Sequence, residues 1–384
     1  MENIFDYIKW RGDLSMKSSG FNEIDGVILA RLAYAPFDRI ASQMKEKPTS
    51  IQEAAEALLK LPDIAESVLW KYDTDLLAEL SENKRYCNMK LSGYVNQIDQ
   101  ETQMQFSAIT IEVDDNMNYI AFRGTDDTLV GWKEDFNMCF IFPVPAQNAA
   151  VKYLEHMAPS LHGDIILGGH SKGGNLAVYS AAFCRKEIQD RIISIYNYDG
   201  PGFDEKVLMT EQYQKISKIT TTFVPQSSVV GMLLEHEENY IIIKSMQKNG
   251  FLQHNIYSWL VERDHFLYLD SVTTGSRLMN YTLKGFIADM EVQQREQFID
   301  SMYALLAQTN AHTLKELKED RTKNAGVILS SMKNMDETTR NVLTEALRSL
   351  LRNVKSSVSQ IILDEQPSLP ARNSAKPTAT ESSP

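Results

Sequence analysis

The sequence predicts an α/β fold, a mostly parallel, doubly wound sheet with helical additions at both ends. Three observations carry that expectation. Ile165-Ile166-Leu167 reads as a buried strand that runs through a glycine-flanked serine into a small-residue helix, Leu176 to Ala182. Two more apolar runs, Ile192 to Tyr198 and Lys218 to Val224, alternate with helical stretches in a β-α-β rhythm. The chain has 384 residues, 43% of them hydrophobic and 23% charged, which is enough for a large core of ordinary globular composition.

Residues 1–85 read as helical and as part of the same domain. Ile28, Leu29, Leu32 and Ala33 follow helical spacing, and Tyr34, Pro36 and Phe37 close that helix. Ser50 with Glu53 three residues on forms a capping box before the helix formers Ala54 to Leu61. Residues 86–270 form the α/β core. Met104, Phe106 and Ala108 alternate with their neighbours, and Asp114-Asp115-Asn116 separates them from Tyr119 to Phe122, as in a hairpin. A helix holding Trp132 and Asp135 follows Arg123-Gly124-Thr125-Asp126.

Gly169-His170-Ser171-Lys172-Gly173 fits G-x-S-x-G between a strand and a helix. That context makes a nucleophile elbow, a strained turn that exposes one side chain above the sheet and excludes Cβ atoms on either side. Ser171 is then a nucleophile, and the Lys172 N–H at the positive helix end faces a developing oxyanion. The other reading is a glycine-rich turn whose serine caps the helix. Beyond the elbow, Tyr240 to Ile243 and Phe251-Leu252 read as the last strands, joined by a turn at Lys248-Asn249-Gly250.

Ala121-Phe122-Arg123-Gly124-Thr125, then Trp132-Lys133-Glu134-Asp135, then Gly169 to Ala177 resemble the class 3 lipase branch of the α/β-hydrolase fold. They are closer still to an uncharacterised bacterial family of lipase-like proteins. The resemblance spans roughly residues 20–265. It implies an oxyanion donor at Thr125, through its backbone N–H and hydroxyl, and a catalytic base at His254, which also fits the chain order Ser, acid, His. It implies a lipid or other acyl ester as substrate and no cofactor, organic or metal.

At the acid the chain departs from that pattern. The lipase acid position falls on Ser228, and a serine cannot stabilise an imidazolium. Asp199, which ends the neighbouring strand, is the first candidate, with Glu235 and Glu237 as fallbacks. Asp199-Gly200-Pro201-Gly202 is equally good turn chemistry, which leaves a missing acid open. His170, beside the nucleophile, packs within the elbow and is not the base. The functional expectation is a serine hydrolase that cleaves an ester or thioester. The alternative is a hydrolase-like scaffold without catalysis that acts through its helical C-terminal region. An acid that reaches His254 separates the two.

A net charge of −12 argues against nucleic acid and anionic membranes as partners. Three widely spaced cysteines, Cys87, Cys139 and Cys184, give no disulfide framework and no zinc pattern. The N-terminus has no secretory pattern and no window of about 18 apolar residues occurs, so the expected location is the cytoplasm. No stretch of the sequence reads as a lid.

Residues 271–364 read as a helical extension. Leu343, Leu347, Leu350, Val354, Val358 and Ile361 form an apolar stripe along a helix from near Asp336, for packing on its own domain or for a protein partner or self-association. Residues 365–384, proline-containing and poor in apolar residues, read as a disordered tail.

Overall fold

One mixed sheet takes its strands in chain order, in a computed structural model that describes residues 3–364 except 47, 127, 139, 140, 249, 310, 312, 314, 315 and 317–320. The strands are β1 (Thr49–Ser50), β2 (Lys90–Asp99), β3 (Met104–Asp114), β4 (Met117–Phe122), β5 (Asp164–His170), β6 (Ile192–Tyr198), β7 (Thr220–Pro225) and β8 (Asn239–Ile243). β1 to β4 pair antiparallel and β4 to β8 parallel, and a short strand, Tyr268–Leu269, returns antiparallel to β8.

Parallel strands taken in sequence order, with right-handed crossovers, place their connecting helices on one face of the sheet. Helices Pro145–Met157 and Lys172–Phe183 accordingly share one core with Phe122, Leu167 and Ile195. The opposite face would be bare. Helices Ile4–Arg11, Glu23–Leu32, Ile51–Leu59 and Asp73–Glu82 cover it, packing on Ile109, Tyr119, Ile166 and Phe223. The two-residue period of the strands does the sorting: Tyr119 faces the N-terminal helices, and Ile120 faces the crossover helices. The α/β class is the expected one, with both faces covered, but the second layer comes from the N-terminal segment. Buried two-pronged pairs lock that segment, Arg85 on Asp25 and Arg31 on Asp73. Ser50 and Glu53 form the expected capping box.

One expectation needs correction. Gly250–Gln253 is a helical turn, not a strand. Leu252 is exposed, while Gln253 is buried and ties Ser227 to Gln247, and β8 pairs with Tyr268–Leu269 instead. Two apolar residues after a glycine are too short a run to separate strand from helix. Helices Glu205–Leu208 and Glu211–Ser217 connect β6 to β7 as expected, and only the single turn Val230–Met232 lies between β7 and β8. Of the predicted C-terminal stripe, Leu343 and Leu350 of helix Glu337–Asp364 are half-buried and Val354 is exposed. The helix also buries Ala346, Ser349 and Ser357, and it packs on helices Thr274–Ala288 and Val292–Ala307. Small side chains allow the close approach. Ser349 and Asn353 donate to Asp289, and a Cβ on Gly285 would sit 2.1 Å from the Asn353 amide oxygen. The side chains of Leu347, Val358 and Ile361, and the predicted disordered tail, lie outside the described residues. Among the described residues no helix is long and apolar enough to cross a membrane.

Candidate active site

β5 runs directly into helix Lys172–Phe183, and Ser171 stands at the junction with φ 61° and ψ −137°. A non-glycine residue in that region is strained by about 1–3 kcal/mol and persists only where its surroundings impose it. Here they do. A Cβ on Gly169 would lie 2.3 Å from the Gly173 backbone, and one on Gly173 would lie 2.1 Å from the Phe122 carbonyl oxygen. The Ser171 N–H donates to the Tyr198 carbonyl at 2.9 Å, which ties the turn to β6.

Asp199 follows β6 immediately and also has a left-handed φ, 54°. Its carboxylate is fully buried, and Oδ2 lies 2.6 Å from His254 Nδ1. A carboxylate only accepts, so Nδ1 carries the hydrogen and Nε2 is left as the basic nitrogen. The other carboxylate oxygen accepts from the Ser228 hydroxyl at 2.5 Å and from the Gly231 N–H at 3.2 Å. Ser228, at the position where the lipase pattern has its acid, thus holds an acid supplied from the neighbouring strand. Glu235 pairs with Lys284 and Glu237 accepts from Gln214, and neither bonds His254.

His170 lies beneath His254, ring centroids 4.4 Å apart, and its Nε2–H donates to the His254 carbonyl oxygen at 2.8 Å. Burial, then the electrostatic influence of neighbouring His254 and of the Arg31 guanidinium, push the His170 pKa well below the usual imidazole range. His170 is therefore a neutral support whose ring faces Tyr34 through its other nitrogen.

Lys172 is the first residue of its helix, so its backbone N–H is one of the donors that no helical carbonyl satisfies. Its side chain runs the other way, into the core. The ammonium donates to Glu134 Oε2 and Gln105 Oε1 at 2.8 Å and to the Gln105 carbonyl at 2.9 Å, with both ionic partners buried. Glu134 also accepts from the N–H groups of Gln105 and Ala146. Thr125 donates its hydroxyl to Asp135, 2.6 Å from either oxygen. The hydroxyl hydrogen is thereby committed, which corrects the expectation that it faces an oxyanion. Burial pushes the Asp135 carboxyl up to about 6, against the lowering influence of Lys172 and Thr125.

Ser171, His254, Thr125 and Asp135 line one cavity of about 710 Å³, whose other walls are mostly apolar. Trp132 and Phe136 form one side, Trp70 and Leu69 another. The rest comes from Pro201, from Val229, Val230 and Leu233 after β7, and from the C-terminal extension: Met279, Leu283, Phe286 and Ile287 of helix Thr274–Ala288, and Phe298 and Ile299 of helix Val292–Ala307. Phe286 and Phe298 meet edge to face, Lys133 pairs with Asp300 at 2.7 Å, and the Ser276 hydroxyl donates to the Ser228 carbonyl. Among the described residues no cluster of His, Cys, Asp or Glu is arranged to hold a metal ion.

Sequence reasoning named Ser171, His254, Asp199, Lys172 and Thr125, and the structure brings all five to one cleft or its floor. It missed Asn175. One turn after the nucleophile, Asn175 donates to the carbonyls of Pro201 and Gly202 and accepts from Gln147, which clamps the loop behind Asp199. The run Gly173-Gly174-Asn175 gave a faint signal, a polar residue on an otherwise apolar helix.

The family model described as Mbeg1-like matches residues 80–304, more than half of the chain. No curated protein matches the sequence. Among solved structures, the chain is similar to a mutant form of MDLA from Penicillium cyclopium, at 13% identity and TM-score 0.39 over 64% of this chain and 83% of that one. It is also similar to Rhizomucor miehei lipase in its propeptide complex, at 14% identity and TM-score 0.33 over 53% and 68% of the respective chains.

Proposed function

The chain belongs to the Mbeg1-like family, and from the constellation its own residues assemble we propose that it is a serine hydrolase cleaving carboxylic esters or thioesters through an acyl-serine intermediate. The observation that carries the reading is the contact of buried Asp199 with His254 Nδ1 at 2.6 Å, in the cleft that Ser171 lines. Ser171 Oγ attacks the acyl carbonyl while His254 Nε2 takes its proton. The oxygen that becomes negative is stabilised by the backbone N–H groups of Lys172 and Thr125, in a cleft whose low polarity strengthens both bonds. Asp199 stabilises the imidazolium, which returns the proton to the leaving group. Water then attacks the acyl carbonyl while His254 accepts its proton, and the acyl–serine bond breaks as His254 returns that proton to Ser171 Oγ, releasing the acid.

The apolar cavity supports an acyl chain as the group bound beside the serine. Its volume lies in the range of drug-sized ligand sites, and each buried methylene contributes about 0.8 kcal/mol. That corresponds to roughly a fourfold gain in kcat/KM per methylene until the cavity is filled. The alternative of a non-catalytic scaffold drew its main support from the serine at the acid position, and a carboxylate on His254 favours the enzyme.

A fluorescent fluorophosphonate tests the reading directly. The folded wild type should be labelled at a single site and Ser171→Ala should not, as read by gel and intact mass. An unlabelled wild type overturns the hydrolase reading.

A further inference from the structure

One charged side chain in the cleft stands apart from the others. Arg31 is paired with Asp73, Asp126 with Arg123, Lys172 with Glu134 and His254 with Asp199, and Asp135 accepts from Thr125 with the Lys172 ammonium 3.9 Å away. Arg295 also lines the cavity, and it has no carboxylate partner among the described residues. It lies three and four residues before Phe298 and Ile299, so all three share the face of helix Val292–Ala307 that turns to the cleft. A guanidinium on an otherwise apolar inner face is costly unless something pairs with it.

The bland account of such an arginine is that its stem packs and its head reaches for bulk water. Here the head is anchored: Arg295 Nε donates to the Met290 carbonyl at 2.9 Å, at the corner before its helix, and the residue is half-buried. The remaining guanidinium nitrogens keep the planar fork that matches a carboxylate or phosphate. The wider field of the molecule does not favour anions, since the chain carries a net charge of −12. An anion in this cleft must be recognised locally.

We propose that Arg295 is an anion-recognition residue of the cleft, and that the substrate is an acyl ester carrying one anionic group, a phosphate or a carboxylate. The inference rests on the acyl-ester reading above. Arg295 acts on binding and takes no part in proton transfer. The C-terminal extension thereby supplies both the apolar wall for the chain and the charge that selects the head group.

Binding to the Ser171→Ala protein tests this without turnover, read by the fluorescence of Trp70 and Trp132, which line the cleft. Dodecyl phosphate, dodecanoate and dodecanol are compared below their aggregation concentrations. The expected result is that one or both anions bind roughly 10- to 100-fold tighter than the alcohol, the range of a hydrogen bond to a charged group. The tighter anion identifies phosphate or carboxylate as the head group. Adding Arg295→Gln should collapse the preference, and Arg295→Lys should keep part of it, with circular dichroism confirming the fold of each variant. Equal affinities for all three ligands, or a preference that survives Arg295→Gln, overturn the proposal. If the preference holds but the wild type cleaves neither neutral nor anionic lauroyl esters, the hydrolase reading fails and the anion site stands.

Discussion

Replacing Asp199 by asparagine puts the acid assignment to a severe test, because the surroundings dictate how the amide must sit. One carboxylate oxygen already accepts from both the Ser228 hydroxyl and the Gly231 N–H, and the other accepts from His254. An amide has a single oxygen, and two donors compete for it at the Ser228 side. The asparagine NH₂ is then turned toward His254. The imidazole must meet that donor with a bare Nδ1, so it carries its hydrogen on Nε2 and presents a donor to Ser171 where a base is needed. Asp199→Asn should therefore lower turnover on the order of 10⁴-fold, about 5.5 kcal/mol in the barrier, as neutralising the triad acid does in serine proteases. A short soluble ester such as p-nitrophenyl butyrate is a suitable substrate, since its kcat does not depend on filling the acyl cleft. Glu235→Gln and Glu237→Gln serve as controls and should stay within about twofold of the wild type, because both side chains are engaged elsewhere on the surface. An Asp199→Asn enzyme that retains a tenth of the wild-type turnover would refute the reasoning.

Three further outcomes are expected. Lys172→Met leaves Glu134 buried without its cation and should cost about 3–5 kcal/mol in urea unfolding. Adding Glu134→Gln should recover more than half of that, and a single-variant loss below about 1 kcal/mol would show the pair to be dispensable. Burial pushes Glu238 up, but bonds from His236, Thr222 and Tyr213 outweigh it and hold the carboxyl down at about 2. A depressed folded-state pKa gives stability that is present above the unfolded value near 4.5 and lost as pH falls toward 2, on the order of 3 kcal/mol in all. Glu238→Gln should flatten the fall in urea midpoint between pH 5 and 2.5, and equal slopes in the two proteins would contradict this. Leu283→Trp narrows the acyl wall, so the chain length at which kcat/KM stops rising should shorten by several methylenes; an unchanged length profile would remove that helix from the acyl site.

The parts of the site that were legible in the sequence are those built from neighbours along the chain. Strand, glycine, serine, glycine and helix occur within twenty residues, and their alternation and spacing specify the elbow locally. Asp199 was legible because an acid at a strand end lies where sheets of this kind place their active groups. The supports were not legible. Tyr34 meets His170 across 136 residues, Lys172 meets Glu134 across 38, and the acyl wall comes from residues more than 100 positions after the nucleophile. No periodicity encodes such meetings. The polar anchor of the C-terminal helix was not legible either: Ser349 and Asn353 bond Asp289 across 60 and 64 residues.

The assignment of the acid to the end of β6 that we propose is consistent with how the two strand ends are joined. Ser171 and Asp199 each follow a strand directly, each with a left-handed φ, and each sends its N–H to the last or near-last carbonyl of the next strand, Tyr198 and Phe223. Ser171 and Asp199 thus share a left-handed φ and a tie to the next strand, one strand apart. Asn175 then binds the carbonyls of Pro201 and Gly202, so the acid loop is anchored to the nucleophile's own helix. The segment after Asp199 is also bonded to the β7–β8 loop, Gly202 N–H to the Leu233 carbonyl and Phe203 with Glu235 in both directions. That loop is left to supply donors to Asp199 through Ser228 and Gly231, and an anchor for the C-terminal helices through Ser276. Movement of those helices would accordingly be felt first by the donors that orient the acid, and only through them by the histidine.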